Sequence, residues 1–236
     1  MAVRRFLDVV FRQYKCYVTA VLIIVNAVVF GCMWINCQLP VEIPGRDMIE
    51  WGAMYSGCLE KKEYYRLFTA MFLHFDLKHL GNNMLVLAAI GSTTECYIGS
   101  VAYGFVYILG GLGGNIVSAY MHAQEGANVV AAGASGAVYA AIGGLLCLLV
   151  FHKGRLENFT INRLILFIIL VLYQGASESG VDNYAHVGGL ICGFATAFVC
   201  CLLKRARKRP DSYSGGGSAG GGFYGYDGRG GYYDGR

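Results

Sequence analysis

The stretch YAHVGGLICGFATAFVCCLL, residues 184–203, decides the fold of this chain, because it contains no Asp, Glu, Lys or Arg. About 20 consecutive apolar residues form an α-helix long enough to cross the hydrocarbon core of a bilayer, which is about 30 Å thick. One histidine, His186, stands near the beginning of the stretch and is followed by Gly189 and Gly193. The GxxxG spacing of these glycines lets two membrane helices approach closely. The stretch therefore predicts a membrane-spanning helix with a polar group near one end.

Five further hydrophobic segments extend this prediction along the chain. Of the 236 residues, 56% are hydrophobic and only 14% are charged, whereas about 25% of the residues in a soluble domain are charged. We therefore predict an all-α membrane protein that folds as a bundle of six transmembrane helices. The predicted spans are 17–36, 80–97, 101–121, 134–151, 161–173 and 184–203.

The distribution of Lys and Arg predicts that both termini are cytoplasmic. Basic residues are concentrated before the first span, between the fourth and fifth spans, and after the sixth, and basic loops stay on the cytoplasmic side. The loops 122–132 and 174–183, which would lie outside, contain neither Lys nor Arg. We predict three parts: a cytoplasmic N-terminal segment (1–16), the six-span domain (17–203) and a cytoplasmic tail (204–236). The tail is basic at first and then rich in Gly and Tyr, a composition typical of disorder.

A long outer loop, at about 38–79, separates the first two predicted spans. It mixes charged residues with aromatic ones, and aromatic side chains favour the headgroup level of a membrane. We expect this loop to be partly helical and to lie in the membrane interface. Its aromatic residues include Trp51, Tyr55, Tyr64, Tyr65 and Phe68.

The nine cysteines do not indicate a disulfide framework. Most lie inside apolar runs, where a thiol acts as a small hydrophobic side chain. Only Cys37 and Cys58 are expected on the outer side, which leaves room for at most one bridge. The sequence has no CxxC pair or Cys/His tract of the kind that binds zinc. We expect no metal, no cofactor and no nucleic-acid partner.

Four polar residues occupy the starts of predicted spans, where polar groups are costly and therefore candidates for function. His79 and Asn83 stand at the second span, Ser135 at the fourth and His186 at the sixth. These three spans all run from outside to inside in the predicted topology. The four side chains are therefore expected in one layer near the outer surface.

The residue types in this layer fit nucleophilic catalysis. Ser135 lies in the small-residue run Gly133-Ala134-Ser135-Gly136 at a helix start, where N–H groups and the helix dipole favour an oxyanion. A serine hydroxyl needs a neighbouring base, and His186 is at matching depth on another helix. Gly136 and Gly143 are expected to face the glycines of the sixth span.

The second span supplies further polar groups to the same layer. His79 and Asn83 are four residues apart, share one helix face and are able to donate jointly to an oxyanion. His74 lies off that face, and we expect it to hold the loop by hydrogen bonds. Glu95, at the other end of the span, is expected to anchor a helix or loop.

Each of these signals has a structural alternative. Gly and Ser are common packing residues in membrane helices, and a histidine such as His186 is able to sit at the interface bonded to a carbonyl. His79 and Asn83 lack the HExxH pattern or third ligand of a metal site. His122 and His152 are expected in loops as ordinary interfacial residues. The joint occurrence of four polar residues at one depth favours a site.

The pattern His74-x4-His79-x3-Asn83, Gly133-x-Ser135-Gly136 and Ala185-His186-x2-Gly189-x3-Gly193 resembles the rhomboid intramembrane serine proteases over about residues 60–203. The resemblance implies the compact six-helix rhomboid core in a membrane, taken here as the bacterial plasma membrane. It implies that Ser135 is the nucleophile and His186 the general base. It also implies an oxyanion hole made by His79, Asn83 and the Ser135 N–H. Tyr139 would pack on the catalytic histidine, and Tyr65-Arg66 aligns with a Trp-Arg pair of the family.

The function implied by this resemblance is hydrolysis of peptide bonds in or near the transmembrane segments of membrane proteins. The expected partners are single-pass or other transmembrane proteins and the lipid bilayer itself. The main rival is a catalytically inactive rhomboid-like protein that binds transmembrane helices. A transporter or channel would favour intramembrane acidic residues or inverted repeats, and the sequence has neither.

Overall fold

A computed structural model describes residues 16–38, 40–156, 159–177, 180–207, 225–226 and 232–233. The predicted N-terminal segment, apart from its last residue, and most of the predicted tail lie outside these ranges. Within the tail, the described residues form one short antiparallel pair, Gly225–Tyr226 with Tyr232–Tyr233.

The described chain is mostly helical. Its α-helices are α1 (Tyr17–Asn36), α2 (Gly45–Glu50), α3 (Arg66–Thr69), α4 (Leu77–Val86), α5 (Ser92–Ile98), α6 (Ser100–Glu125), α7 (Ser135–Phe151), α8 (Ile161–Ser177) and α9 (Asn183–Arg207). A 3-10 turn, Ala70–Phe72, follows α3, and a π-helical turn, Leu87–Gly91, joins α4 to α5. Residues between the helices form two short antiparallel strand pairs. They are β1 (Met54–Tyr55) with β2 (Val130–Ala131) and β3 (Arg155–Leu156) with β4 (Phe159–Thr160).

Three of the described helices are long and apolar enough to cross a membrane: Tyr17–Asn36, Ser100–Glu125 and Asn183–Arg205. Two shorter apolar helices, Ser135–Phe151 and Ile161–Gly175, lie between the last two. The path from Leu77 to Ile98 is helical throughout but is divided by its π turn. The mostly helical fold with candidate membrane spans is therefore confirmed, while the count of six spans stays a prediction.

The third predicted span is longer in the structure than in the sequence analysis. α6 continues to Glu125 and ends where Gly126 takes the left-handed conformation, with φ +62°, as glycine does at many helix ends. The prediction that His122 lies in a loop was wrong, because this residue belongs to the last turn of α6. His152 does lie in the turn after α7 and is exposed.

α7 is the central helix, since thirteen of its seventeen residues are buried. α6 and α9 pack against it, and against each other, through glycines. A Cβ on Gly189 would collide with the carbonyl oxygen of Gly136, and a Cβ on Gly193 would collide with Ala140. A Cβ on Gly143 would likewise meet the carbonyl oxygen of Leu190. The close packing predicted for these glycines is confirmed.

A buried acid fixes the start of α1. Glu95 of α5 is only 2% exposed, and its carboxylate accepts hydrogen bonds from the N–H groups of Val18 and Thr19 at 2.9 and 2.8 Å. It also accepts bonds from the hydroxyls of Thr19 and Ser100, both at 2.7 Å. The expectation that Glu95 anchors a helix is confirmed.

The outer loop is partly helical, as predicted, and is organised around Arg66. This side chain is buried and donates to the carbonyls of Ile49 and Ala53, at 2.6 and 3.0 Å, and to Glu63 at 2.7 Å. Hydrogen bonds from Arg66 and Tyr55 to the Glu63 carboxylate lower its pKa below the usual 4.5. Pairing of β1 with β2 ties the loop to the segment before α7.

The two outer cysteines form no disulfide with each other in the structure. Cys58 is buried, packed with Met54 and Ala70, while Cys37 is partly exposed at the end of α1.

Candidate active site

Ser135 is the first residue of α7, and the loop before it is held in place by the outer loop. Gly133 adopts φ +149°, a conformation that side chains rarely take, and its N–H donates to the Ala70 carbonyl at 2.9 Å. The N–H of Ala134 donates to Nε2 of His74 at 3.5 Å. The two residues before Ser135 are therefore held by hydrogen bonds to Ala70 and His74.

His74 is completely buried, and burial lowers its pKa to about 3. It is therefore neutral at ordinary pH, which leaves one ring nitrogen free to accept the Ala134 hydrogen bond. Its ring also meets that of His79 edge to face, with 5.0 Å between the ring centroids. His74 thus links the loop before Ser135 to the helix that carries His79.

His79 and Asn83 share one face of α4. Asp76 caps this helix, because its Oδ1 accepts the His79 N–H at 2.7 Å. The Asn83 amide donates to the His79 carbonyl at 3.2 Å, and its second N–H remains for another acceptor. A Cβ built on Gly133 would lie 3.0 Å from His79 Nε2 and 3.6 Å from Ser135 Oγ. The imidazole and the hydroxyl therefore flank one space beside Gly133.

His186 lies in the first turn of α9 and is 7% exposed. Its ring stacks on that of Tyr139, one turn after Ser135, with centroids 4.2 Å apart and planes inclined by 9°. Its Nδ1 is buried and has no hydrogen-bond partner among the described residues. No hydrogen bond joins the Ser135 hydroxyl to His186 in the described part of the chain.

The residues adjoining Ser135 and His186 do touch. A Cβ on Gly136 would lie 3.5 Å from the carbonyl oxygen of Ala185. The structure therefore gathers Ser135, His186, Tyr139, Gly136 and Gly189 at one end of the helix pair. Arg66, in contrast, makes its hydrogen bonds within the outer loop and does not contribute one to this group.

Several residues that hold this region are not among the sequence-based predictions. Asp76 and Asp182 precede α4 and α9 as N-cap residues, and an Asp directly before a helix is a recognisable signal. Asn115 of α6 donates to the Leu67 carbonyl at 2.8 Å, and its Oδ1 would lie 3.8 Å from a Cβ on Gly136. The glycines of α6, such as Gly110 and Gly114, face Gly193 and Gly189. The sequence shows that these residues are small, but it does not show that they contact α9.

Comparison with known proteins identifies the family to which the chain is similar. The Rhomboid domain family model matches residues 61–203. The chain is 30% identical over 214 residues to Rhomboid protease GluP of Bacillus subtilis (strain 168), which covers 86% of this chain and 41% of GluP. It is 37% identical over 169 residues to RHOMBOID-like protein 5 of Arabidopsis thaliana, covering 71% of this chain and 53% of the relative.

The chain thus spans about half the length of these curated relatives. The family model nevertheless matches more than half of the chain, within which lie α7, the residues around His79 and most of α9. Together with the apolar helices, this match shows that the protein is an integral membrane protein and belongs to the rhomboid family.

Proposed function

We propose that this protein is an intramembrane serine endopeptidase that hydrolyses peptide bonds in or near the transmembrane segments of other membrane proteins. The observation that supports the proposal is the close contact of α7 and α9 at Gly136 and Gly189. Ser135 and the Tyr139-stacked His186 lie near this contact, at the same end of the two helices.

In this proposal Ser135 Oγ attacks the carbonyl carbon of the substrate peptide bond, and His186 takes the hydroxyl proton. The resulting oxyanion is stabilised by the Ser135 N–H, at the start of α7, and by donors from His79 and Asn83. His186 then gives its proton to the departing amine. Water, activated by the same imidazole, hydrolyses the acyl-enzyme and restores the serine.

The proposal requires the hydroxyl and the imidazole to approach each other when substrate binds. Catalytic hydrogen bonds are often long or poorly aligned without substrate and tighten in the reacting complex. The unpartnered Nδ1 of His186 leaves its ring without a competing hydrogen bond at that atom. The ring is therefore oriented by its stacking on Tyr139 and by its own backbone.

The substrates we propose are membrane proteins whose helices are weakened by Gly or Pro near the outer membrane face, because a regular helix keeps its carbonyls hydrogen-bonded. Water and substrate would enter near α8 and the loop 174–183. α8 leaves much of its apolar surface exposed, including Leu166, Ile169 and Tyr173. We also propose that both termini lie in the cytoplasm. The bacterial plasma membrane stays a prediction, since the relatives come from a bacterium and a plant.

Labelling by a serine-directed fluorophosphonate probe tests the nucleophile. We expect the purified protein in detergent to be labelled, and the Ser135→Ala and His186→Ala variants to remain unlabelled. Ser92→Ala and His152→Ala are matched controls, because Ser92 lies in α5 and His152 in the exposed turn after α7; both should label like the wild type.

A transmembrane reporter with a Gly- or Pro-weakened helix, reconstituted in liposomes, tests peptide-bond hydrolysis. Cleavage that requires Ser135 supports the protease. Reporter binding without cleavage or labelling would instead support the rival function, an inactive rhomboid-like protein that binds transmembrane helices.

A further inference from the structure

Asp182, the residue directly before α9, holds the first turn of that helix. Its Oδ1 accepts a hydrogen bond from the N–H of Ala185 at 3.0 Å, which is the bond of a helix N-cap. Its main-chain carbonyl accepts a hydrogen bond from the N–H of His186 at 3.2 Å. The proposed base therefore lies on the turn that Asp182 fixes.

The same carboxylate reaches a second helix. Its Oδ2 accepts a hydrogen bond from the hydroxyl of Ser118 in α6, and Ser118 is completely buried. One turn further along α6, His122 places Nε2 3.6 Å from Oδ1 of Asp182. Asp182 thus joins the start of α9 to the outer end of α6.

Neighbouring side chains reinforce this joint. His122 Nδ1 lies 3.6 Å from a carboxylate oxygen of Glu125, and the Tyr184 hydroxyl donates to the other oxygen of the same carboxylate. The rings of His122 and Tyr184 meet edge to face at 5.3 Å. The last turn of α6 and the first turn of α9 are therefore linked by both polar and ring contacts.

The link between Asp182 and α6 lies at the helical turn that carries His186. The glycine contacts of α9 begin at Gly188, two residues beyond the histidine, where a Cβ would lie 2.9 Å from Val117. The first turn of a helix has N–H groups without intrahelical partners. The Nδ1 atom of His186 has no hydrogen bond in the described region. The backbone of this turn and the stacking on Tyr139 both help to place the ring.

We propose that Asp182 is a positioning residue that, together with Ser118, sets the place of His186 relative to Ser135. This inference rests on the proposed function, because it concerns the same pair of residues. It assigns to Asp182 a structural link between helices and gives its negative charge no part in proton transfer.

The test uses the full chain in liposomes and three variants, Asp182→Ala, Ser118→Ala and Asp182→Asn. For each variant we would measure kcat and KM on the helix-weakened reporter, and the fluorophosphonate labelling rate per folded protein. Asp182→Ala should lower kcat and the labelling rate by about 10- to 100-fold, the effect of a small misplacement of a reacting group, with KM nearly unchanged. Ser118→Ala should lower them less. Asp182→Asn should restore most of the activity, because Asn also caps helices and its amide is able to bond to the Ser118 hydroxyl.

Thr94→Val is the matched control for a lost interhelical hydrogen bond. Thr94 is buried in α5 and donates to the Ala141 carbonyl of α7 at 3.1 Å. This variant should lower thermal stability and leave the labelling rate per folded protein unchanged.

Two results would overturn the inference while leaving the protease intact: labelling of Asp182→Ala at the Thr94→Val rate, or an Asp182→Asn variant as impaired as Asp182→Ala. The second result would assign the effect to the carboxylate charge. If the wild type itself is not labelled at Ser135, the proposed function fails and this inference fails with it.

Discussion

The carboxylate of Glu95 accepts hydrogen bonds from both the main-chain N–H and the hydroxyl of Thr19, a residue 76 positions earlier in the chain. The first N–H groups of a helix have no partner within the helix, and for α1 a buried acid on α5 supplies the acceptor. One side chain therefore satisfies the start of the first membrane helix and ties it to the bundle.

Replacing Glu95 by Gln should destabilise the protein, because one charge-assisted acceptor is lost in a buried site. Hydrogen bonds to charged groups contribute about 1.5–3 kcal/mol each, so a clear fall in the thermal unfolding midpoint in detergent is expected. Glu60→Gln, at an exposed position of the outer loop, is the control. Equal midpoints for the two variants would contradict this account.

Replacing Gly189 by Ala should disturb the contact between α7 and α9, since the new Cβ would collide with the Gly136 carbonyl. Overpacking of a tight interior typically costs about 1–3 kcal/mol, and the helices must separate to relieve it. Fluorophosphonate labelling and the unfolding midpoint should both fall. Gly104→Ala in α6 is the matched control, because its Cβ would meet nothing within 4 Å; a loss of the same size there would refute the packing argument.

The stacking of Tyr139 on His186 predicts different effects for two substitutions. Tyr139→Phe keeps the ring and should keep turnover close to that of the wild type. Tyr139→Ala removes the surface that holds the imidazole and should lower kcat about 10-fold or more. Reporter kinetics distinguish these outcomes, and an equally impaired Phe variant would point to the hydroxyl instead of the stacked ring.

Changes at His79 and Asn83 should slow the reaction without removing the nucleophile. Loss of one oxyanion donor typically lowers kcat about 10²- to 10³-fold, so His79→Ala and Asn83→Ala should turn over slowly yet still label at Ser135 on long exposure. Asn82→Ala, at an exposed position of the same helix, should behave like the wild type. Full activity of the Asn83 variant would remove that residue from the proposed oxyanion hole.

The pair Glu63 and Arg66 predicts acid sensitivity of the outer loop. The pKa of Glu63 is lower in the folded protein than its usual 4.5, so its stabilising contribution is complete above pH 4.5 and is lost as the pH falls through the folded-state pKa. The difference in unfolding midpoint between the wild type and Glu63→Gln should therefore be constant near neutral pH and shrink below pH 4.5. A difference that grows on acidification would reverse the assigned sign.

Much of the helical architecture could be predicted because apolar length is a local property. The end of α6 is an exception, since His122 is expected in a loop although Gly126, a typical C-terminal glycine, marks the helix end correctly. The π turn at Leu87–Gly91 was not predictable. There the buried Tyr103 packs against Gly91, whose Cβ would collide with the tyrosine hydroxyl, and such a tertiary contact leaves no periodic signal.

In the candidate site, too, some features have a local sequence signal and others depend on tertiary contacts. The predicted layer of polar residues follows from helix direction, which the sequence indicates through its basic residues. The link from Asp182 to α6 could not be predicted, because its bond to Ser118 joins residues 64 positions apart. Pairing of this kind depends on which helices become neighbours, and no local pattern encodes it.

The main-chain contact between Gly136 and Gly189 also determines how the protein responds to membranes of different thickness. Tilting is one way in which helices adjust to a mismatched bilayer, and α7 and α9 meet too closely for one to tilt without the other. A thicker or thinner bilayer would therefore shift the pair as one body and preserve the spacing between the Ser135 hydroxyl and the His186 ring. α8, whose apolar surface is largely exposed, makes no such main-chain contact with α7 or α9 among the glycines of the described residues.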